Sequence, residues 1–308
     1  MKTNSKKILQ QIQDEIDRRG GQLNSEEELN QIAAQIMQRQ NSTPLSDYEG
    51  LSPYQMHMLL YQPFEPGSVV KYRSVINDEK VLSSPMLIAC FKIVEAIHPQ
   101  KGLKLTQTGR LPRKIVHDIY SMKLCPSRFE SFFQPKILNE SDYPLAATAH
   151  ALLKLSGIIK HKTGKIFVTR VGKKAIGNNP YMFELLFTAF VSKFNKGYLD
   201  FYGETDIGNI GVLFVLYLLH KYGRELRDTN FYATKYFRAF PTLYGAIDYP
   251  FSHNEDNSSS NNCFTLRVLN HGLVWFGLVE QVTIVISLMQ RTYQVKNALL
   301  FNEVFEIK

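Results

Sequence analysis

Apolar residues recur three and four positions apart in two stretches at the start of the chain, a spacing that predicts two amphipathic helices. The first carries Ile8, Leu9, Ile12 and Ile16 and stops at Gly20-Gly21; the second carries Leu29, Ile32, Ala33, Ile36 and Met37. Ser25-Glu26-Glu27-Glu28 ahead of the second helix fits a capping box, with Ser25 taking a backbone N–H and Glu28 reaching back. A third helix is predicted from Ser52, with Pro53 in its first turn, Gln55 completing a second box and Met56, Leu59 and Leu60 as its apolar face. Longer, more apolar helices are predicted over 181–194, 207–222 and 230–240, the last two ended by Gly223 and Pro241. The Asn- and Ser-rich run 252–262 predicts a surface loop.

In the middle of the chain the period changes. Residues 85–97 read as a helix, followed by a polar turn at 98–102, a strand at 103–106, Gly109-Arg110 and a basic helix from Lys114 to Tyr120. Residues 145–155 again read as a helix, followed by Gly157, alternating strands around Thr163-Gly164, and Thr169-x-x-Gly172 opening another helix. The two segments share the frame apolar-x-apolar-Thr-x-x-Gly-basic, which reads as an internal repeat of one supersecondary unit. A third, diverged copy follows, with a helix at 264–276, a turn and strand at Gly277-Leu278-Val279-Glu280 and a returning strand at Tyr293-Gln294-Val295. The expected fold is mainly α with short β-hairpins. Its parts are an N-terminal helical arm (1–47), two tandem winged-helix-like units (48–140 and 141–205) and a C-terminal helical region (206–308) closed by the third unit.

A chain of 308 residues with 44% apolar positions has material for two or three packed units. The longest uncharged apolar stretch, 207–219, is interrupted by Gly208, Asn209 and Gly211 and falls short of the roughly 20 residues that span a bilayer. Lys2, Lys6 and Lys7 are followed by no apolar secretory segment, so a cytoplasmic protein is expected. Cys90, Cys125 and Cys263 are too widely spaced for a zinc site or a disulfide framework.

Charge changes the picture more. Residues 92–176 hold sixteen Lys and Arg against five Asp and Glu, so the net +8 of the chain arises wholly in this segment and the remainder is slightly acidic. Such concentration is the footprint of a surface that meets a polyanion, although a merely solvated basic surface has the same composition. The candidate binding residues are Lys101, Lys104, Arg110, Arg113 and Lys114 in the first segment. In the second they are Lys160, Lys162, Lys165, Arg170, Lys173 and Lys174, with His161 among them. The helix at 145–155 offers only Thr148, His150 and Lys154 as polar side chains, too little to read base edges, so contacts to phosphate are expected to dominate.

The pattern Gly157-Ile158-Ile159, wing, Val168-Thr169-x-x-Gly172-Lys173-Lys174 resembles winged helix-turn-helix regulators over about 30 residues per copy. Gly50 to His57, Leu111-Pro112-Arg113-Lys114 and Arg238-Ala239-Phe240-Pro241 together resemble an uncharacterised bacterial family. That family is related to plasmid-borne open reading frames and to proteins with a C-terminal SEC-C motif. The resemblance implies a fold and a bacterial origin, and it brings no activity with it. The Cys/His cluster of a SEC-C motif is missing here, so no metal is implied.

Three functions compete on these residues. The first is a non-enzymatic protein that binds nucleic acid through basic wings, and the second is a winged-helix module that docks an acidic protein partner. The third is a metal-dependent, nuclease-like enzyme, for which Asp200, Glu204 and Asp206 could gather Mg²⁺. These carboxylates read more simply as an acidic loop, and Glu306-Ile307-Lys308, which resembles half of a nuclease motif, has no upstream Asp in a matching strand. Gly208-Asn209-Ile210-Gly211 lacks the Lys-Ser/Thr of a phosphate loop. No cofactor and no membrane partner are expected.

Overall fold

The computed structural model describes residues 2–21, 25–125, 138–247, 258–285 and 291–308. The chain is mainly α-helical with short antiparallel strands. Helices α1 (Lys2–Arg18) and α2 (Glu26–Ser42) pack as a hairpin, burying Ile16 and Ile32. The Ser25 hydroxyl accepts the Glu28 N–H at the start of α2. Helix α3 (Pro53–Tyr61) opens with the full reciprocal box: Ser52 Oγ accepts from Gln55 N at 3.3 Å, and Gln55 Oε1 accepts from Ser52 N at 2.8 Å. Strand β1 (Val70–Tyr72) and the short α4 (Asp78–Val81) follow.

Six elements then form one unit: α5 (Pro85–Glu95), β2 (Leu103–Lys104), α6 (Arg113–Ser121), α7 (Pro144–Leu155), β3 (Ile159–Lys162) and β4 (Lys165–Val168). Their sheet is antiparallel with order β2-β4-β3, Leu103 opposite Ile166 and Lys104 opposite Lys165. The strand expected to belong to a first unit is therefore the third strand of the hairpin expected to belong to a second, and the two segments share one sheet. The reason lies in the Thr-x-x-Gly frame, which serves two different geometries. At Thr106 the backbone N–H donates to Arg110 O and Gly109 takes φ +75°, a turn that needs a left-handed residue. At Thr169 the hydroxyl caps α8 (Arg170–Ala175), and Gly172 lies where a Cβ would be 2.3 Å from Ile158 O, a close approach that excludes any side chain. A two-residue strand with no hairpin of its own must find its backbone partners elsewhere, and β2 finds them on β4.

The order helix, strand, helix, helix, strand, strand occurs a second time. Beyond α9 (Asn179–Ser192) come α10 (Val212–Tyr222), β5 (Arg227–Asp228), α11 (Thr229–Ala239) and α12 (Ser258–Phe264), which runs on as a π-helix over Thr265–Val274. Strands β6 (Val279–Val285) and β7 (Arg291–Asn297) complete it. Its sheet has the order β5-β7-β6, again first, third, second. The diverged copy expected from residue 264 onward is the latter half of this second unit, whose first half begins at α10. Residues 258–262, expected in a loop, lie in α12; residues 252–257 of that loop are outside the described residues.

Helix α9 sits between the two units. Its Phe183, Phe187 and Phe190 are fully buried and meet the Phe276 ring at 5.6, 4.9 and 5.3 Å between centroids, so one hydrophobic core runs through both units. Helix α13 (Leu299–Val304) leads into β8 (Phe305–Ile307), which pairs with β1, placing Val70 opposite Ile307 and Tyr72 opposite Phe305. Cys90, Cys125 and Cys263 are all buried. Among the described residues no helix is long and apolar enough to cross a membrane.

Candidate functional site

The β2-β4-β3 sheet sorts the basic residues by its pleat. Side chains on adjacent strands at paired positions share a face, and successive residues alternate. Ile166, Ile159 and His161 point to the helical side: Ile166 and Ile159 are buried there, and His161 meets His150 of α7. The opposite face therefore carries Lys104, Lys165 and Lys162 in one cross-strand row, since Lys104 pairs with Lys165 and Lys165 with Lys162. Lys160 and Phe167, paired in the next row on the same face, extend it. The Phe167 ring lies against Gly102, where an added Cβ would be 2.8 Å from it. Like charges directly opposite one another on neighbouring strands repel and weaken the pairing.

The eleven candidate cations are exposed, apart from the half-buried Lys165, and none of them forms an ion pair among the described residues. Lys101 lies on the turn before β2 and Arg110 on the turn after it; Arg113 and Lys114 open α6, and Arg170, Lys173 and Lys174 lie on α8. Arg113 Nε donates to Asn139 Oδ1 at 2.9 Å. The structure thus gathers Lys104, Lys160, Lys162 and Lys165 on one sheet face and leaves the remaining seven on separate elements. Helix α7 offers little to a groove. Leu145 through His150, Leu152 and Leu153 are all buried in the packing against α5 and α9.

Behind the sheet lies a chain of titratable groups that sequence spacing does not reveal. Glu140 Oε2 accepts the Leu111 N–H, Glu140 Oε1 pairs with His150 Nδ1 at 2.9 Å, and His150 Nε2 meets His161 Nε2 at 3.1 Å. The Glu140 and His150 side chains are 9% and 8% exposed, while His161 reaches the surface on β3. Burial and the charges of His150 and Lys154 lower the His161 pKa, with Glu140 pulling the other way.

The acidic loop is engaged internally. Arg267, buried on the π-helix, makes a two-pronged contact with Asp200, Nε to Oδ2 at 2.5 Å and Nη2 to Oδ1 at 2.9 Å. It also donates to the carbonyls of Gly203, Thr205 and Ile207. Beside it, Lys196 Nζ donates to Phe190 O at 2.9 Å, and burial, with Arg267 nearby, pulls the ammonium pKa down to about 7. Thr148, Phe190, Phe194, Lys196, Arg267 and His271 surround a cavity of about 10 Å³, room for one water. No group of three or more His, Cys, Asp or Glu side chains is arranged to hold a metal ion among the described residues.

No curated protein and no solved structure matches the chain. Neither a SEC-C motif nor a winged-helix family is matched. What does match is a plasmid-related family without an assigned activity: residues 82–181, which contain the whole first unit and α8, fit the family model of the Y4jL N-terminal domain.

Proposed function

We propose that residues 85–168 form a single winged-helix unit and that the protein is a non-enzymatic, nucleic-acid-binding protein gripping the phosphate backbone with the outward face of that sheet. One observation carries the reading: Lys104, Lys165 and Lys162 stand in register across three strands, with Lys160 beside them and no ion-paired carboxylate among the described residues. The arrangement is unfavourable alone and is relieved by a polyanion. Because α7 is packed under α9, little base readout is available and sequence dependence is slight. The same burial favours, as a second reading, a module that docks an acidic protein.

Fluorescence anisotropy with duplexes of unrelated sequence separates the two. Wild-type affinity falls steeply with salt, and changing Lys162 and Lys165 to Glu weakens every duplex by a similar factor. It also flattens the slope of log K against log salt by about two units, as two phosphate contacts would require. Thermal stability falls only modestly, because surface charges contribute little to it and only Lys165 of the two is half-buried. Absence of binding to duplex and single strand at low salt would overturn the nucleic-acid reading.

A further inference from the structure

The Glu140–His150–His161 chain has a protonation logic fixed by its geometry. Glu140 accepts from the backbone at one oxygen and faces His150 Nδ1 with the other, so His150 Nδ1 carries a proton. His150 Nε2 and His161 Nε2 are 3.1 Å apart, a hydrogen-bond distance that requires one proton between two nitrogens. Two arrangements satisfy it. With both rings neutral, His161 Nε2–H donates to the His150 lone pair, leaving His161 Nδ1 as an open acceptor. With one added proton, the pair carries a single positive charge and the hydrogen bond is kept. Protonating both rings would set two N–H groups against each other and break the contact. The rings also lie nearly parallel, centroids 5.1 Å apart and 17° between planes, so the pair holds the wing strand to α7.

We propose that this chain couples polyanion docking at the basic sheet to the uptake of one proton by the His150–His161 pair, making the wing a proton-linked binding site. This rests on the nucleic-acid reading above. The charged groups facing the pair are Glu140 and Lys154 on α7; Lys160 and Lys162 flank His161 on β3 but project, with Lys165, from the other face of the sheet, and Ile166, opposite His161, carries no charge. In the free protein burial and the charges of His150 and Lys154 oppose a positive charge on His161, and Glu140 favours it. A phosphate backbone on the outward face adds negative charge across the sheet from the pair and shifts the balance toward its charged form. The proton is then bound more tightly in the complex than in the free protein, so affinity rises as pH falls through the histidine range. It levels off above that range, where neither state holds the proton.

The test is binding of one fluorescent duplex at fixed ionic strength at pH 5.5, 6.5, 7.5 and 8.5. For wild type, affinity weakens by about three- to tenfold between pH 5.5 and 7.5, bounded by tenfold per pH unit for one proton, and is flat at higher pH. His161→Gln, at an exposed position, binds with the wild-type salt slope at pH 8.5 and loses the pH dependence. In the free protein, NMR titration of the imidazole C–H signals shows a His161 proton-uptake step below the ordinary histidine range, which His161→Gln removes. A wild-type affinity that is salt-dependent but indifferent to pH, or a pH dependence that survives His161→Gln, overturns the proton linkage and leaves the phosphate-binding reading standing. Failure to bind at any pH removes both.

Discussion

Asp200, Glu204 and Asp206 look equivalent in sequence, three carboxylates of one acidic loop, yet they stand in different environments. Glu204 and Asp206 are exposed, whereas the Asp200 carboxylate is buried against a guanidinium that meets no other carboxylate among the described residues. Removing one member of such a pair leaves a charge stranded in the interior, so Asp200→Asn is expected to cost about 3–5 kcal/mol in urea unfolding. Glu204→Gln and Asp206→Asn should each stay within about 0.5 kcal/mol. Equal effects at the three positions would show that the Arg267 contact is not what holds this loop. Their spacing alone fits either a plain acidic loop or a Mg²⁺ cluster. The partner that engages Asp200 lies 67 residues away, beyond the reach of any local pattern.

At the level of elements, caps were legible and strand partners were not. Ser52 with Gln55, and Thr169 with Gly172, close their hydrogen bonds within three residues, so the chemistry is written in adjacent letters. The apparent repeat misled because Thr-x-x-Gly answers two separate needs. Substitution separates them: Gly172→Ala must push Cβ into Ile158 O and should cost about 2 kcal/mol or more, since backbone cannot yield as a flexible side chain can. Gly109 has open space around its Cβ position, so Gly109→Ala pays only for φ +75°, about 1 kcal/mol. Denaturant midpoints decide the order, and a larger loss at Gly109 would mean that the two turns had been assigned the wrong way round.

For the molecule as a whole, one buried carboxylate ties the N-terminal segment to the second unit. Glu49, at φ +56°, accepts from Tyr222 Oη at 2.6 Å and Lys235 Nζ at 2.7 Å, while its carbonyl takes Lys221 Nζ and Tyr217 Oη. Burial by itself would raise its pKa; the hydrogen bonds from Lys235 and Tyr222, with the charges of Lys235 and Lys221, hold it below the usual value of 4.5. A carboxyl lowered in the folded state stabilises fully above its unfolded pKa, and that contribution is lost as pH falls through the folded value. Glu49→Gln should therefore cost about 2–3 kcal/mol at pH 7, with the gap to wild type narrowing below pH 4.5 and earlier proteolysis within residues 1–47. A difference from wild type that does not change with pH would place the cost in packing instead of in the charge.

Most helix positions, the caps at Ser52 and Thr169, the hairpin turn at Thr163-Gly164 and the concentration of positive charge in residues 92–176 were determined by the sequence alone. Each depends on the side chain's own preference or on neighbours a few residues away. The tertiary structure decided which strand completes which sheet, because the backbone groups of a two-residue strand specify no partner. It also decided that Lys104 joins Lys162 and Lys165 across some sixty residues, and that His150 meets His161 in front of Glu140. Register and burial set those distances, and both are properties of the packed core through which the two units meet on α9, not of any single stretch of the chain.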